Sequence, residues 1–128
     1  MTTPEHLRYS KSHEWARLDD DGNCCVGITH HAQDQLGDIV YFEPPEVGRV
    51  VAAGQECAVL ESVKAAADIY APIGGEVIEV NHAVASTPEL INQDAYSAWL
   101  FKLKPTDAGE LRNLLSATQY QAEVDAAA

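Results

Sequence analysis

Two short β-type runs, at residues 57–60 and 68–70, stand either side of a single lysine, Lys64. They constrain the fold more than any other stretch, because they can pair antiparallel only if the chain reverses close to that lysine. Such a reversal puts a flexible amine at an exposed turn. Lys64 is the only Lys or Arg between Arg49 and Lys102, and Val63, Ala65, Ala66 and Ala67 around it are small or apolar. No local ladder of carboxylates makes it half of a surface ion-pair strip. Two readings stand side by side: an ordinary solvated lysine, or an amine that another protein reaches and modifies.

The rest of the chain has the same texture of short strands broken by Gly and Pro. A strand at 13–18 is followed by Asp19-Asp20-Asp21-Gly22-Asn23, where the Asp-Gly pair signals a hairpin. The returning strand covers 24–29. Thr29 can cap a short helix over 30–36, with Gly37 at the stop position. Strands are expected at 38–43, ended by Pro44-Pro45, at 49–53, and with clear period-two alternation at 75–80. Thr87-Pro88 suggests one helical turn, residues 92–96 a loop, and 98–104 a last strand stopped by Pro105. Residues 1–12 read as a loop or edge strand. From Asp107 the period changes: Leu111, Leu114 and Leu115 lie at helical spacing behind a candidate Asp107/Glu110 capping box. A second short helix is expected from Thr118 across 119–124, with 125–128 frayed. The sum is a mainly β fold, a small sandwich or barrel with an appended helix.

At 128 residues the chain suits one domain, spanning 1–128 with a core at about 8–124. Twenty acidic against eight basic residues give a formal charge of −12, a field that repels phosphate backbones and argues against nucleic-acid binding. No apolar run approaches the roughly 20 residues of a membrane span, and the first residues have neither a basic start nor an apolar core. A cytoplasmic protein that does not engage membranes is the expectation. Cys24, Cys25 and Cys57 make neither a C-x-x-C pair nor a zinc spacing. Buried, reduced thiols are the structural reading, with a redox role as the alternative; on a strand Cys24 and Cys25 face opposite sides. His30 and His31 are adjacent, so on a helix they point about 100° apart and do not share one metal ion easily. No phosphate loop, H-E-x-x-H or G-x-S-x-G is present. The chain is not expected to be a catalyst, and no metal site is expected.

Against this background a set of blocks occurs in order: Ser12-His13-Glu14-Trp15, Val26-Gly27-Ile28-Thr29, Ala32-Gln33, Leu36-Gly37-Asp38-Ile39-Val40, Glu61-Ser62-Val63-Lys64-Ala65 and Gly75-Glu76-Val77, then Asn81, Pro88-Glu89-Leu90 and Asn92. Over roughly residues 8–124 the chain resembles the H-protein of the glycine cleavage system. The resemblance implies a lipoyl-domain-like barrel-sandwich hybrid of two antiparallel sheets with short helices and a C-terminal helix. It implies lipoate joined covalently to Lys64 at a hairpin tip. Glu61 and Gly75 match positions associated with recognition by a lipoate ligase or lipoyl transferase, although a solvated strand residue and a turn glycine would look the same. Ser12, Glu14 and Asp68 match positions that can line a cleft for the loaded arm, where carboxylates would bond a cationic group.

By the same resemblance the chain would be a non-catalytic, monomeric carrier. A pyridoxal-phosphate glycine decarboxylase would load an aminomethyl group on the arm, and a tetrahydrofolate-dependent aminomethyltransferase would remove its one-carbon unit. Dihydrolipoyl dehydrogenase would reoxidise the dithiol. Tethering makes each step effectively intramolecular once the carrier has docked. Departures from the family pattern are Ala95-Tyr96-Ser97-Ala98-Trp99 in place of a longer, glycine-containing Pro-Tyr-Gly-x-Gly-Trp loop, Ala67 for a usual Ser, His31 for a frequent Tyr, and the Cys24-Cys25 pair. They keep open a second reading, an H-like lipoate-binding protein carrying sulfur or reducing equivalents in a heterodisulfide-reductase-like pathway. A biotin carrier is disfavoured, since the only methionine is Met1.

Overall fold

Residues 3–127, which the computed structural model describes, form nine strands, four α-helices and one 3-10 helix. In order these are β1 (Arg8–Tyr9), β2 (Glu14–Leu18), β3 (Cys24–Ile28), α1 (His30–Leu36), β4 (Ile39–Glu43), β5 (Val50–Val51), β6 (Glu56–Ser62), β7 (Ala66–Tyr70), β8 (Gly75–Val80), α2 (His82–Ser86), α3 (Leu90–Gln93), β9 (Phe101–Pro105), the 3-10 helix (Ala108–Asn113) and α4 (Ala117–Ala127). Six strands make one sheet in the order β1-β2-β3-β9-β8-β5, and three make the other, β4-β6-β7. Every pairing is antiparallel. The expected two-sheet architecture is therefore the observed one.

Alternation along the strands fills two cores. Cys24, Val26 and Ile28 of β3 face a large cluster with Phe42, Leu60, Ile69, Val77 and Leu103, drawn from both sheets. Cys25, on the opposite face of β3, joins Tyr9, Trp15 and Tyr120 in a second cluster beneath α4. Between those faces Gly27 is obligatory: a Cβ there would lie 2.5 Å from the Trp15 indole, which covers it from the neighbouring strand. The Asp21-Gly22 hairpin forms as expected, with Gly22 at φ +85° and its N–H donating to the Asp19 carbonyl at 2.9 Å.

Several local expectations change. Residues 82–86 are a helix, started by the Asn81 side chain, which accepts from Ala83 N–H. α3 begins at Leu90 and takes in Asn92 and Gln93, which read as loop in the sequence. The last strand begins at Phe101 and includes Pro105, set opposite Gly75. The helix after Asp107 is a 3-10 helix, and no reciprocal capping box forms there: Asp107 accepts from Gly109 N–H, but Glu110 reaches instead to Gly74 N–H at 3.0 Å. The true box lies one element later. Ser116 Oγ accepts from Gln119 N–H and Gln119 Oε1 from Ser116 N–H, so α4 starts at Ala117 and runs to Ala127. Met1, Thr2 and Ala128 lie outside the described residues.

Candidate functional site

β6 and β7 pair from Glu56 opposite Tyr70 up to Glu61 opposite Ala66, which leaves residues 62–65 to reverse the chain. Lys64 sits in that reversal and is exposed, as are Val63 and Ala65. Among the described residues the ion pairs are Arg17–Asp19 and Lys102–Glu79, and the Lys64 ammonium joins neither a salt bridge nor a hydrogen bond. Its stem passes Gly37, where a Cβ would stand 3.6 Å from Lys64 Cε. Converting this amine to an amide orphans no carboxylate and buries no charge. The position fits covalent attachment of an acyl group.

The reversal is held from two directions. Inside it, the Ser62 hydroxyl accepts from Ala65 N–H at 3.1 Å and Lys64 N–H at 3.3 Å and lies 3.2 Å from the Ala65 carbonyl, to which it donates. Outside it, Val63 N–H donates to the Asp38 carbonyl at 3.0 Å. Asp38 lies in the short link between α1 and β4 that Asn92 clamps: its Oδ1 accepts from Ile39 N–H at 2.8 Å, and its Nδ2 donates to the Gly37 carbonyl at 2.8 Å and to Gln33 Oε1 at 3.0 Å.

Glu14 is buried, at 1% exposure, and is not an exposed strand residue. Its Oε1 accepts from the hydroxyls of Ser10 and Ser12, both at 2.5 Å, and its Oε2 from Tyr70 N–H at 3.2 Å. β7 is an edge strand, so Glu14 reaches from the large sheet to satisfy a backbone donor that no strand covers. Burial pushes its carboxyl above the usual range, opposed by the Ser10, Ser12 and Tyr70 hydrogen bonds. Ser12 thus joins Glu14 directly. Asp68 does not enter this network; it is exposed on β7 opposite Val59, on the wall of a shallow groove of about 390 Å³ with Glu43, Arg49 and Glu56.

Glu61 is exposed on the central strand of the small sheet, three residues before Lys64. Gly75 belongs to the other sheet, between Val51 and Pro105, and backbone contact alone requires glycine there: a Cβ would lie 2.4 Å from the Lys104 carbonyl oxygen. Sequence pattern alone singles out neither Ser10, which shares Glu14 with Ser12, nor Tyr120, whose hydroxyl lies 2.7 Å from His13 Nδ1 and 2.7 Å from Thr29 Oγ1. His13 has φ +73°, the one non-glycine positive φ among the described residues, and its ring lies 4.8 Å from that of His31. Burial, then His31, lowers the His13 pKa. His30 bonds Gln33 Nε2 at 3.1 Å, and among the described residues no His, Cys, Asp and Glu cluster could hold a metal ion. The three cysteines are free and buried; burial raises Cys24 and Cys57 to about 12 and Cys25 to about 11, opposed by Arg17 at Cys25 and by Arg49 at Cys57.

The family described as "Glycine cleavage H-protein" matches residues 7–127. The chain belongs to the glycine cleavage H-protein family. It is 61% identical to glycine cleavage system H protein 2 of Pseudomonas aeruginosa over 96% of this chain and 95% of that protein. It is 57% identical to the H protein of Thiobacillus denitrificans over 100% of this chain and 99% of that one. The fold is shared with the crystal structure of an H protein of Mycobacterium marinum, with a TM-score of 0.87 and 38% identity, over 95% of this chain and 98% of that one. The 61–65 segment with Lys64 stands at the hairpin tip, and residues 95–99 form a well-bonded loop. There Asp94 accepts from Tyr96 N–H and the Ser97 hydroxyl, while Trp15 Nε1 donates to the Ala95 carbonyl at 3.1 Å. Among the described residues no helix is long and apolar enough to cross a membrane.

Proposed function

We propose that this member of the glycine cleavage H-protein family is a lipoyl carrier that shuttles an aminomethyl group, with lipoate in amide linkage to Lys64. One observation supports the reading: in a chain matching the family over residues 7–127, Lys64 is the exposed amine of a braced hairpin tip and has no ion pair among the described residues. The bound dithiolane would supply reversible thiol–disulfide chemistry. The chain itself presents the arm and keeps its own three thiols buried, away from that exchange. It contributes no catalytic group. Its partners on this reading are a glycine decarboxylase, an aminomethyltransferase, a dihydrolipoyl dehydrogenase and a lipoylating enzyme, and the carrier itself is cytoplasmic. The relatives' shared name favours this cargo over sulfur.

On this reading Ser12 and Glu14 line a cleft for a cationic cargo; its support is that Glu14 Oε2, with Tyr70 N–H as its one partner among the described residues, can accept a further hydrogen bond. Asp68 belongs to this proposal by sequence match alone. Co-expression with a lipoate ligase and intact-mass measurement test the attachment: the lipoyl mass is expected on the wild type and absent from Lys64→Arg, and its persistence in that variant refutes the assignment. Glycine–bicarbonate exchange with a competent decarboxylase then tests the cargo. No exchange from fully lipoylated protein would move the reading to sulfur transfer.

A further inference from the structure

We infer that Ser62 is the positioning residue for modification of Lys64: its side chain, not a left-handed backbone, builds the turn that a lipoylating enzyme reads. The inference rests on the lipoyl reading of Lys64. Hairpins with two central residues ordinarily place one or both at positive φ, which suits Gly, Asn and Asp. Here the central residues are Val63 and Lys64, and neither has positive φ. A β-branched valine would pay heavily to adopt one. The reversal is closed instead by Ser62 N–H to the Ala65 carbonyl at 2.7 Å and by the hydroxyl contacts. In an ordinary hairpin the Ala65 N–H would return to the Ser62 carbonyl; here it goes to the Ser62 hydroxyl. One donated and two accepted bonds use the full capacity of that hydroxyl.

The consequence is a division of labour at the tip. Val63 at 70% exposure and the lysine side chain are left free of intramolecular duties, while their backbone is fixed. Ser62 itself is 9% exposed, so it is part of the scaffold and not of the surface an enzyme would touch. The Asp38 carbonyl, held by the Asn92 clamp, anchors the other side of the tip through Val63 N–H. With the hydroxyl gone, the Lys64 and Ala65 amides fall to water, which satisfies them, but the enzyme must then order the turn on binding.

The test uses full-length apo-protein, an ATP-dependent lipoate–protein ligase and free lipoate. Ser62→Ala is expected to raise KM for the protein about fivefold at nearly unchanged kcat, the loss of ordering equivalent to about one net hydrogen bond. Ser62→Thr or Ser62→Asn, each able to make the same side-chain turn, should restore it. A general structural defect would lower Tm without this KM signature or its rescue. Amide exchange gives an independent measure: Lys64 and Ala65 should be protected in the wild type and exposed in Ser62→Ala. Wild-type KM in Ser62→Ala, or unprotected Lys64 and Ala65 amides in the wild type, would overturn the inference. If Ser62→Ala does not fold, the exchange rates of the wild type and Ser62→Thr decide it alone. A wild-type chain that the ligase never modifies would instead refute the lipoyl reading, and exchange would still judge the turn.

Discussion

Gly75→Ala separates packing against β9 from recognition by a lipoylating enzyme. An ideal Cβ on Gly75 would meet the Lys104 carbonyl oxygen at 2.4 Å, its carbonyl carbon at 3.0 Å and Pro105 Cα at 3.2 Å. All three are backbone atoms of β9, so no rotamer change relieves the contact. Overpacking that side chains can absorb costs about 1–3 kcal/mol, and a backbone clash belongs at the top of that range, about 3 kcal/mol. With an unfolding entropy of about 2.1 cal/mol/K per residue, Tm should fall by roughly 10 °C for a chain of this length. The urea midpoint should fall by at least about 1 M. Gly74→Ala is the control: its Cβ would meet Val51 O at 3.2 Å and the movable Glu110 Oε1 at 3.3 Å, so the cost should be about 1 kcal/mol. Urea unfolding of both apo-variants, followed by lipoylation where both are folded, is the assay. The packing argument requires a large shift in Gly75→Ala and wild-type modification of its folded fraction. A wild-type midpoint with lost modification would refute it and make Gly75 a recognition residue.

The other predictions concern titration and burial. Native apo-protein should leave Cys24, Cys25 and Cys57 unreactive to a thiol reagent at pH 8 and release all three in denaturant; fast native labelling would contradict their enclosure. Because the folded Glu14 carboxyl lies above its ordinary value, its contribution to stability is full below the unfolded pKa and is lost as pH rises through the folded one. Glu14→Gln should therefore flatten that part of the stability–pH curve, and an unchanged curve would count against the burial. Tyr120→Phe removes the bonds to His13 and Thr29 and should cost about 1–3 kcal/mol in denaturant titrations, with a null effect ruling out Tyr120 as a tie between α4 and the loop before Glu14.

Strand positions were legible where period two and turn chemistry agreed, as at Asp21-Gly22 and along 75–80. The Thr29 cap and Gly37 stop of α1 were equally clear, because each satisfies a named backbone group. Short helices were not. Nothing in His82-Ala83-Val84-Ala85-Ser86 forms an apolar stripe, and only the Asn81 cap announces α2. The Asp107/Glu110 pair misled because Glu110 had a better partner, Gly74 N–H, which lies 36 residues away in sequence. At the site, the lysine was readable from its isolation and its sequence block. The buried Glu14 network was not, since Ser10 and Ser12 are local but Tyr70 N–H comes from the other sheet. Likewise the Asn92 clamp on Gly37 and Ile39 spans more than 50 residues and leaves no periodic trace.

The place of β9 in the strand order has a consequence for how such a chain is made. The large sheet consists of two blocks, β1-β2-β3 and β8-β5, and only β9 joins them. During vectorial synthesis the β6–β7 hairpin is local and free to form early, yet the body beneath it stays split until β9 and Leu100 just before it emerge. A nascent or truncated chain ending at Ala98 would display the lysine hairpin on two halves without that joint, which limited proteolysis would detect. The strand that locks the molecule arrives nearly forty residues after the amine it serves, so a rigidly mounted lysine is a mark of a finished chain.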